Sequence, residues 1–375
     1  MFFYILKRLL LIIPTLFFII LLNFFIIQTA PGGPVEKFIA MMNHATKAGS
    51  EAAGGGNVGF GGGRMNAQNI DVNLAKNSND AESLKYQGSV GIDPEILQKV
   101  EKLYGFDLPL WQRFWLMIKK FLQFDFGVSF YQDKKVSDLI IEKLPVSISL
   151  GLWATLLTYL IAIPLGIKKA VRDGSKFDVY SSAAIIIGYA IPSFLFAILL
   201  IILFAGGNFL NIFPLRGLVS SDFAAMSCWQ KIADYFWHLT LPIIAMIIGG
   251  FASLTFFCKN SFLEEIKKNY VLAAYARGLN QKQVLYNHVF RNAMMIIIAQ
   301  IPAALVAVIF TSAFLIEIVF SLDGLGMLGY EAAISRDYPI MFGTLYLFTL
   351  IGLILTIISD ITYKLVDPRV NFQKR

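Results

Sequence analysis

The residues whose types and spacing are most suggestive are Tyr270-Val271-Leu272-Ala273-Ala274-Tyr275-Ala276-Arg277-Gly278-Leu279, with His288-Val289-Phe290-Arg291-Asn292-Ala293 a short way on. The chemistry they suit is docking rather than covalent work. Ala273, Ala274 and Ala276 have minimal side chains, so another protein surface can come close to the backbone. Gly278 tolerates the left-handed conformation that ends a helix. Asn280 and Gln283 have the spacing of a capping box that opens another. One helix is therefore expected over 262–277, ended by Gly278 and followed by a second. An ordinary solvated hairpin has the same composition, and small-residue spacing alone does not separate the two.

Motifs for covalent, metal or nucleotide chemistry do not occur. His44, His238 and His288 are far apart, with no His-Glu-x-x-His pair and no Gly-x-Ser-x-Gly elbow. There is no Gly-x-x-x-x-Gly-Lys-Ser/Thr phosphate loop, and the glycine cluster at 54–63 lacks the Lys-Ser/Thr that would complete one. No catalytic residue, metal or cofactor is expected in this chain.

The elements that hold the island are set by composition. The chain has 375 residues, 57% hydrophobic and 15% charged, with 33 Phe and a mean hydropathy of +0.64. Soluble domains carry roughly 25% charged residues, so a bilayer is the expected solvent. Six apolar runs are long enough to cross it as helices: 9–29, 145–167, 179–205, 236–257, 293–316 and 339–363. Pro14, Pro164, Pro192, Pro242 and Pro302 fall inside them, which membrane helices tolerate. Lys7 and Arg8, Lys168 to Lys176, Lys259 to Arg291, and Lys364 to Arg375 cluster on one side. The opposite short loops hold only Arg216, Lys231 and Arg336. The basic side is cytoplasmic, so both termini and the 259–292 island are expected inside. The net charge of +7 then reflects orientation and not nucleic-acid binding. The first run is about twice the length of a signal h-region, so it is expected to stay as an anchor. Cys228 and Cys258 fall on opposite sides, and no bridge is expected.

The outer region, 30–144, has two parts. Residues 43–90 are rich in Gly, Asn, Ala and Ser and are expected to be flexible. Asp93-Pro94 suits a helix start, with Gly105 as its stop. A second helix is expected after Pro109, with Trp111, Phe114, Trp115, Ile118 and Leu122 along one side. That pattern suits a helix at the membrane surface or packed on the spans, and equally plain packing in a small outer domain. Inside or beside the spans, Asn23, Gln300, Glu317 and Asp360 are the clearest polar residues. Glu317 admits a helix-end structural role or a place on a substrate path, and Tyr189, Gln300 and Ser312 are open to the same pair of readings.

On the quoted island residues, the chain resembles the coupling-loop signature of binding-protein-dependent ABC importer permeases, often called the EAA loop. Leu272 stands where that signature has Glu, a departure common among peptide-importing members. The resemblance extends to Ala30-Pro31-Gly32-Gly33-Pro34, Tyr104-Gly105-Phe106-Asp107-Leu108-Pro109, Phe124-Asp125-Phe126-Gly127-Val128-Ser129 and Leu144-Pro145-Val146-Ser147-Ile148-Ser149-Leu150. It continues through Phe320-Ser321-Leu322-Asp323-Gly324-Leu325-Gly326, Arg336-Asp337-Tyr338-Pro339 and Val366-Asp367-Pro368-Arg369. Within the oligopeptide and dipeptide branch it is most similar to the Yej type, which is linked to oligopeptides and the peptide-nucleotide antibiotic microcin C.

What the resemblance implies is an all-α, polytopic type I ABC importer fold with six transmembrane helices in the bacterial inner membrane. Its parts would be an anchor helix (1–29), a periplasmic insertion (30–144), a transmembrane domain (143–364) and a cytoplasmic tail (365–375). A second homologous permease would complete the path, as a heterodimer. An ABC ATPase with two nucleotide-binding domains would hold the ATP and Mg, and a periplasmic binding protein would deliver peptide. The implied coupling residues are Tyr270, Ala273, Ala274, Ala276, Arg277, Gly278, His288, Arg291 and Asn292. A stand-alone secondary transporter would instead place charged coupling residues deep in its spans, and these are nearly absent.

Overall fold

The computed structural model describes residues 2–29, 108–129, 131–132, 134–206, 209–310 and 314–366. The expected helix at Asp93, the 43–90 segment and Ser312 lie outside these residues. Among them the structure is helical, with no strand beyond one isolated bridge between Val128 and Lys135.

Among the described residues, four helices are long and apolar enough to cross a membrane: α1 (Phe2–Thr29, apolar over Ile5–Ile26), then α3 (Val136–Val171) after the amphipathic α2 (Leu110–Leu122), α6 (Cys228–Ile266), and α12 (Tyr338–Val366). The run at 179–205 is not the single helix expected. It forms α4 (Lys176–Ala190) and α5 (Ser193–Phe204), bent by 93°, and counts as a fifth span if the pair is taken together. The cause is Pro192, which has no N–H to donate and pushes Ile191 into an extended conformation (φ −86, ψ 120). Within the run at 293–316, residues 311–313 lie outside the described ones. On either side of them are α9 (Phe290–Phe310) and the short α10 (Phe314–Val319). Between α6 and α9 lie α7 (Asn269–Ala276) and the short α8 (Gln281–Val284), and between α10 and α12 lies α11 (Leu325–Ser335).

Several helices outrun their apolar stretch. α3 starts at Val136, ahead of Pro145, and carries Pro145 and Pro164 inside it. α6 starts where Ser227 and Gln230 form a capping box, with the Ser227 N–H donating to Gln230 Oε1 at 3.0 Å. Both cysteines are free thiols, Cys228 exposed and Cys258 buried. Asp360, polar within an apolar helix, pairs with Arg8 at 3.2 Å.

The chain divides into two compact units. The first comprises Met1–Ile12, Leu139–Ser335 and Leu347–Arg375, and among its described residues are two hydrophobic cores. One joins α3, α5, α6 and α10 through Leu150, Ala197, Leu200, Leu239, Ile243 and Ile316. The other joins the ends of α3 and α6 to α7, α8 and α9 through Ala170, Cys258, Phe262, Val271, Ala274, Val284, Val289 and Ala293. The second unit comprises Ile13–Asp138 and Arg336–Tyr346. Its core is aromatic: Phe121 packs edge-on against Phe126 at 5.3 Å and Tyr346 at 5.4 Å. Gly343 is needed there, because a Cβ would come within 2.8 Å of Val136 Cγ1 and 2.9 Å of Phe126 Cβ. Ser129 Oγ donates to the buried Asp337 at 2.6 Å.

Candidate functional site

The helix expected over 262–277 is broken. α6 ends at Ile266, Lys268 is extended (φ −76, ψ 150), and α7 starts afresh at Asn269. The break is organised by Glu265, which the sequence did not single out. Its buried carboxylate ion-pairs with Lys268, accepts from the Tyr270 hydroxyl at 2.7 Å and bonds the Asn292 side chain. One carboxylate thus ties the end of α6 to α7 and to the start of α9. Burial, and donation to Glu265, push the Tyr270 phenol above its ordinary value.

Spacing then decides which face of α7 turns inward. Val271 and Ala274, three apart, are buried against Phe262 and Val289. Leu272, Ala273, Tyr275, Ala276, Arg277 and Gly278 are exposed. Ala274 therefore packs inward rather than joining the small contact face read from the sequence, and Tyr270 and Asn292 are half-buried braces. His288 and Arg291 are exposed beyond the turn. The turn has the expected chemistry. Gly278 sits at φ +83, its N–H donating to the Tyr275 carbonyl at 2.9 Å. Asn280 and Gln283 bond reciprocally at 3.0 and 2.9 Å. A π-helical turn over Leu285–Val289 leads into α9.

A cleft of about 700 Å³ lies among α3, α5, α6, α9 and α10. Thr155, Thr158, Tyr159, Ser193, Ser253 and Gln300 supply its polar groups, and among the described residues no charged side chain lines it. Among the described path candidates, Gln300 is the one on this wall. Tyr189 is exposed elsewhere on α4.

Glu317 turns away from the cleft, although its neighbour Ile316 lines it. It is only 1% exposed and caps the start of α11. Its Oε2 accepts from the Met327 N–H at 2.8 Å, and the Gly326 N–H also bonds it. Ser147 Oγ donates to Oε1 at 2.9 Å and accepts from the Leu325 N–H at 2.8 Å. Gly324 and Gly326 allow this approach: a Cβ on Gly324 would collide with the carboxylate, and one on Gly326 would lie 2.8 Å from Phe314 Cα. The carboxylate satisfies orphan helix N–H groups, which is the helix-end role.

A second buried network pins the ends of α3, α4 and α6. Lys169, 0% exposed, donates to Ser181 Oγ at 2.8 Å, Ser182 Oγ at 2.6 Å and the Asp178 carbonyl at 2.9 Å. Its Nζ lies 3.1 Å from Asp178 Oδ1. Lys259 bridges Asp178 at 2.7 Å and Asp173 at 2.9 Å. The sequence offered one local cue: Ser175 three residues before Asp178 is a helix-start pattern, and Ser175 Oγ accepts the Asp178 N–H at 3.3 Å.

A family model described as a binding-protein-dependent transport system inner membrane component matches residues 162–372. The inner membrane ABC transporter permease protein YejB of Escherichia coli O157:H7 is 54% identical over 372 residues, covering 99% of each chain. The peptidoglycan transport system permease protein YejB of Agrobacterium fabrum is 53% identical over 372 residues, with the same coverage. The dipeptide transport system permease protein DppB of Bacillus subtilis is 30% identical over 286 residues, covering 76% of this chain and 87% of that protein.

Proposed function

The chain belongs to the family of binding-protein-dependent transport system inner membrane components, and from that premise we propose that it forms half of the path of an ATP-driven importer of oligopeptides. The all-α, multi-pass type I importer fold and the inner-membrane location are those of the family. A second, homologous permease supplies the other half of the path, as a heterodimer. A periplasmic peptide-binding protein delivers the substrate. An ABC ATPase with two nucleotide-binding domains binds ATP and Mg; this chain binds neither. The relatives are named for peptidoglycan and dipeptide transport, and amino acids in amide linkage are common to both. Peptide antibiotics such as microcin C fall in the same class.

The observation that carries the reading is the asymmetry of the hairpin around α7. Its inner face is locked by Val271, Ala274 and the Glu265 cluster, while Ala273, Ala276, Arg277 and Gly278 stand outward. A lever needs that combination, because a loop that slipped on its own base would dissipate the push. ATP must bind one state of the assembly better than the other or it shifts nothing. Moving an equilibrium from 1:99 to 99:1 takes about 5.5 kcal/mol of differential binding. The neutral, hydroxyl-bearing cleft suits peptides of any side-chain charge, since no fixed charge on its wall favours one sign.

The test is uptake of a labelled oligopeptide by cells with and without this chain, the other subunits being present. Loss on deletion and recovery on complementation are expected. Unchanged uptake in the deletion strain would remove the assignment.

A further inference from the structure

We infer that α2 is an in-plane helix embedded in the membrane leaflet that receives the C-terminal end of α1, with its Trp111-Trp115-Leu122 stripe in contact with lipid. The inference stands on the membrane location of the chain and does not need the peptide assignment.

Depth is set by what α2 packs on. Phe114 lies edge-on against Phe17 at 5.7 Å and Phe24 at 5.3 Å. Both belong to the apolar span Ile5–Ile26. At 1.5 Å per residue they sit about 13 Å and about 3 Å inside its Ile26 end. One helical stretch further on, Phe121 packs against Tyr346, about 12 Å inside the Tyr338 end of the span Tyr338–Thr362. With both termini on the basic, cytoplasmic side, the C-terminal end of the first span and the N-terminal end of the last lie together on the outer side of the bilayer. Two anchors about 10 Å apart along α2 are therefore held at similar depth within hydrocarbon. A helix fixed in that way lies along the leaflet and not above it.

The remaining faces of α2 match such a position. Phe114 and Phe121 face protein and are buried. Trp111, Trp115 and Leu122, on an adjacent stripe, are 66%, 51% and 65% exposed, and the two indoles stack edge-on at 5.8 Å. Gln112, Lys119 and Lys120 occupy the far side and are exposed. Tryptophan is favoured where hydrocarbon meets headgroups, and long lysine stems let the ammonium groups reach phosphates. In water that apolar stripe would be costly, whereas at this depth lipid covers it.

The test is site-directed spin labelling of the full chain in its complete transporter, reconstituted in phosphatidylethanolamine–phosphatidylglycerol vesicles. Labels go at Trp115→Cys and Leu122→Cys, with Gln112→Cys and Lys119→Cys as polar-face controls, in a Cys228→Ser background. Positions 115 and 122 are expected to relax strongly with oxygen and weakly with a water-soluble nickel chelate, and position 119 the reverse. Strong nickel relaxation at 115 and 122 would place the stripe in water and overturn the inference. Shielding from both agents would show a protein cover, whether a second permease, a binding protein or residues 30–107, and would overturn it equally. A second arm needs no cysteine: brominated lipid should quench more Trp emission in the wild type than in the Trp111→Phe/Trp115→Phe double variant. Equal quenching would contradict lipid contact.

Discussion

At the scale of single residues, two glycine positions do different work. Gly278 has open space around a notional Cβ but a φ of +83. Gly278→Ala therefore costs only the left-handed backbone, roughly 1–2 kcal/mol, and should keep a substantial part of uptake. Gly278→Trp adds bulk to the exposed face and should abolish uptake while the protein stays in the membrane at normal level. Uptake normalised to immunodetected protein separates the two, and normal transport by the Trp variant would refute the docking role. Glu317 is a contrasting case. Glu317→Ala orphans the Met327 N–H and the Ser147 hydroxyl, each worth about 1–3 kcal/mol when buried. Glu317→Gln keeps one acceptor oxygen and should fall between. Thermal unfolding in detergent should rank wild type above Gln above Ala, with unchanged peptide preference per folded molecule. A shift in preference would return Glu317 to the substrate path. Gly278 and the Asn280–Gln283 cap are legible in the sequence because their chemistry is local. For Glu317 the sequence offers the helix-end role but not its partner, because Ser147 lies 170 residues away.

At the scale of elements, buried charge fixes how helices meet. Asp178 serves both Lys169 and Lys259 across α3, α4 and α6. Removing the shared partner strands a fully buried ammonium, a loss of about 3–5 kcal/mol by analogy with broken buried pairs. Lys169→Met leaves Asp178 still held by Lys259 and should cost less. Asp178→Ala should therefore lower the melting temperature more than Lys169→Met does, and the opposite order would dismiss the shared-partner account. Helix existence was readable from apolar runs and proline positions. Less readable were the bend at Pro192 and the break at Lys268. A proline within a span is usually tolerated, and the Glu265 cluster that organises the Lys268 break draws on Asn292 from another helix. The inward turn of Ala274 follows from packing on Phe262 and Val289, which composition alone does not reveal.

At the scale of the whole molecule, the proposed function makes the long apolar helices, the cleft and the braced hairpin a passive conduit with a handle. Its central requirement is that the α7 face be reachable from the cytoplasm, where a nucleotide-driven partner can act on it. The most direct measurement is labelling of Ala276→Cys by a membrane-impermeant maleimide, in a Cys228→Ser background, in intact spheroplasts and in inside-out vesicles. Position 276 should react in inside-out vesicles stripped of the ATPase, be protected when the ATPase is bound, and stay unreactive in spheroplasts. Reaction from the outer face of intact spheroplasts would contradict the account.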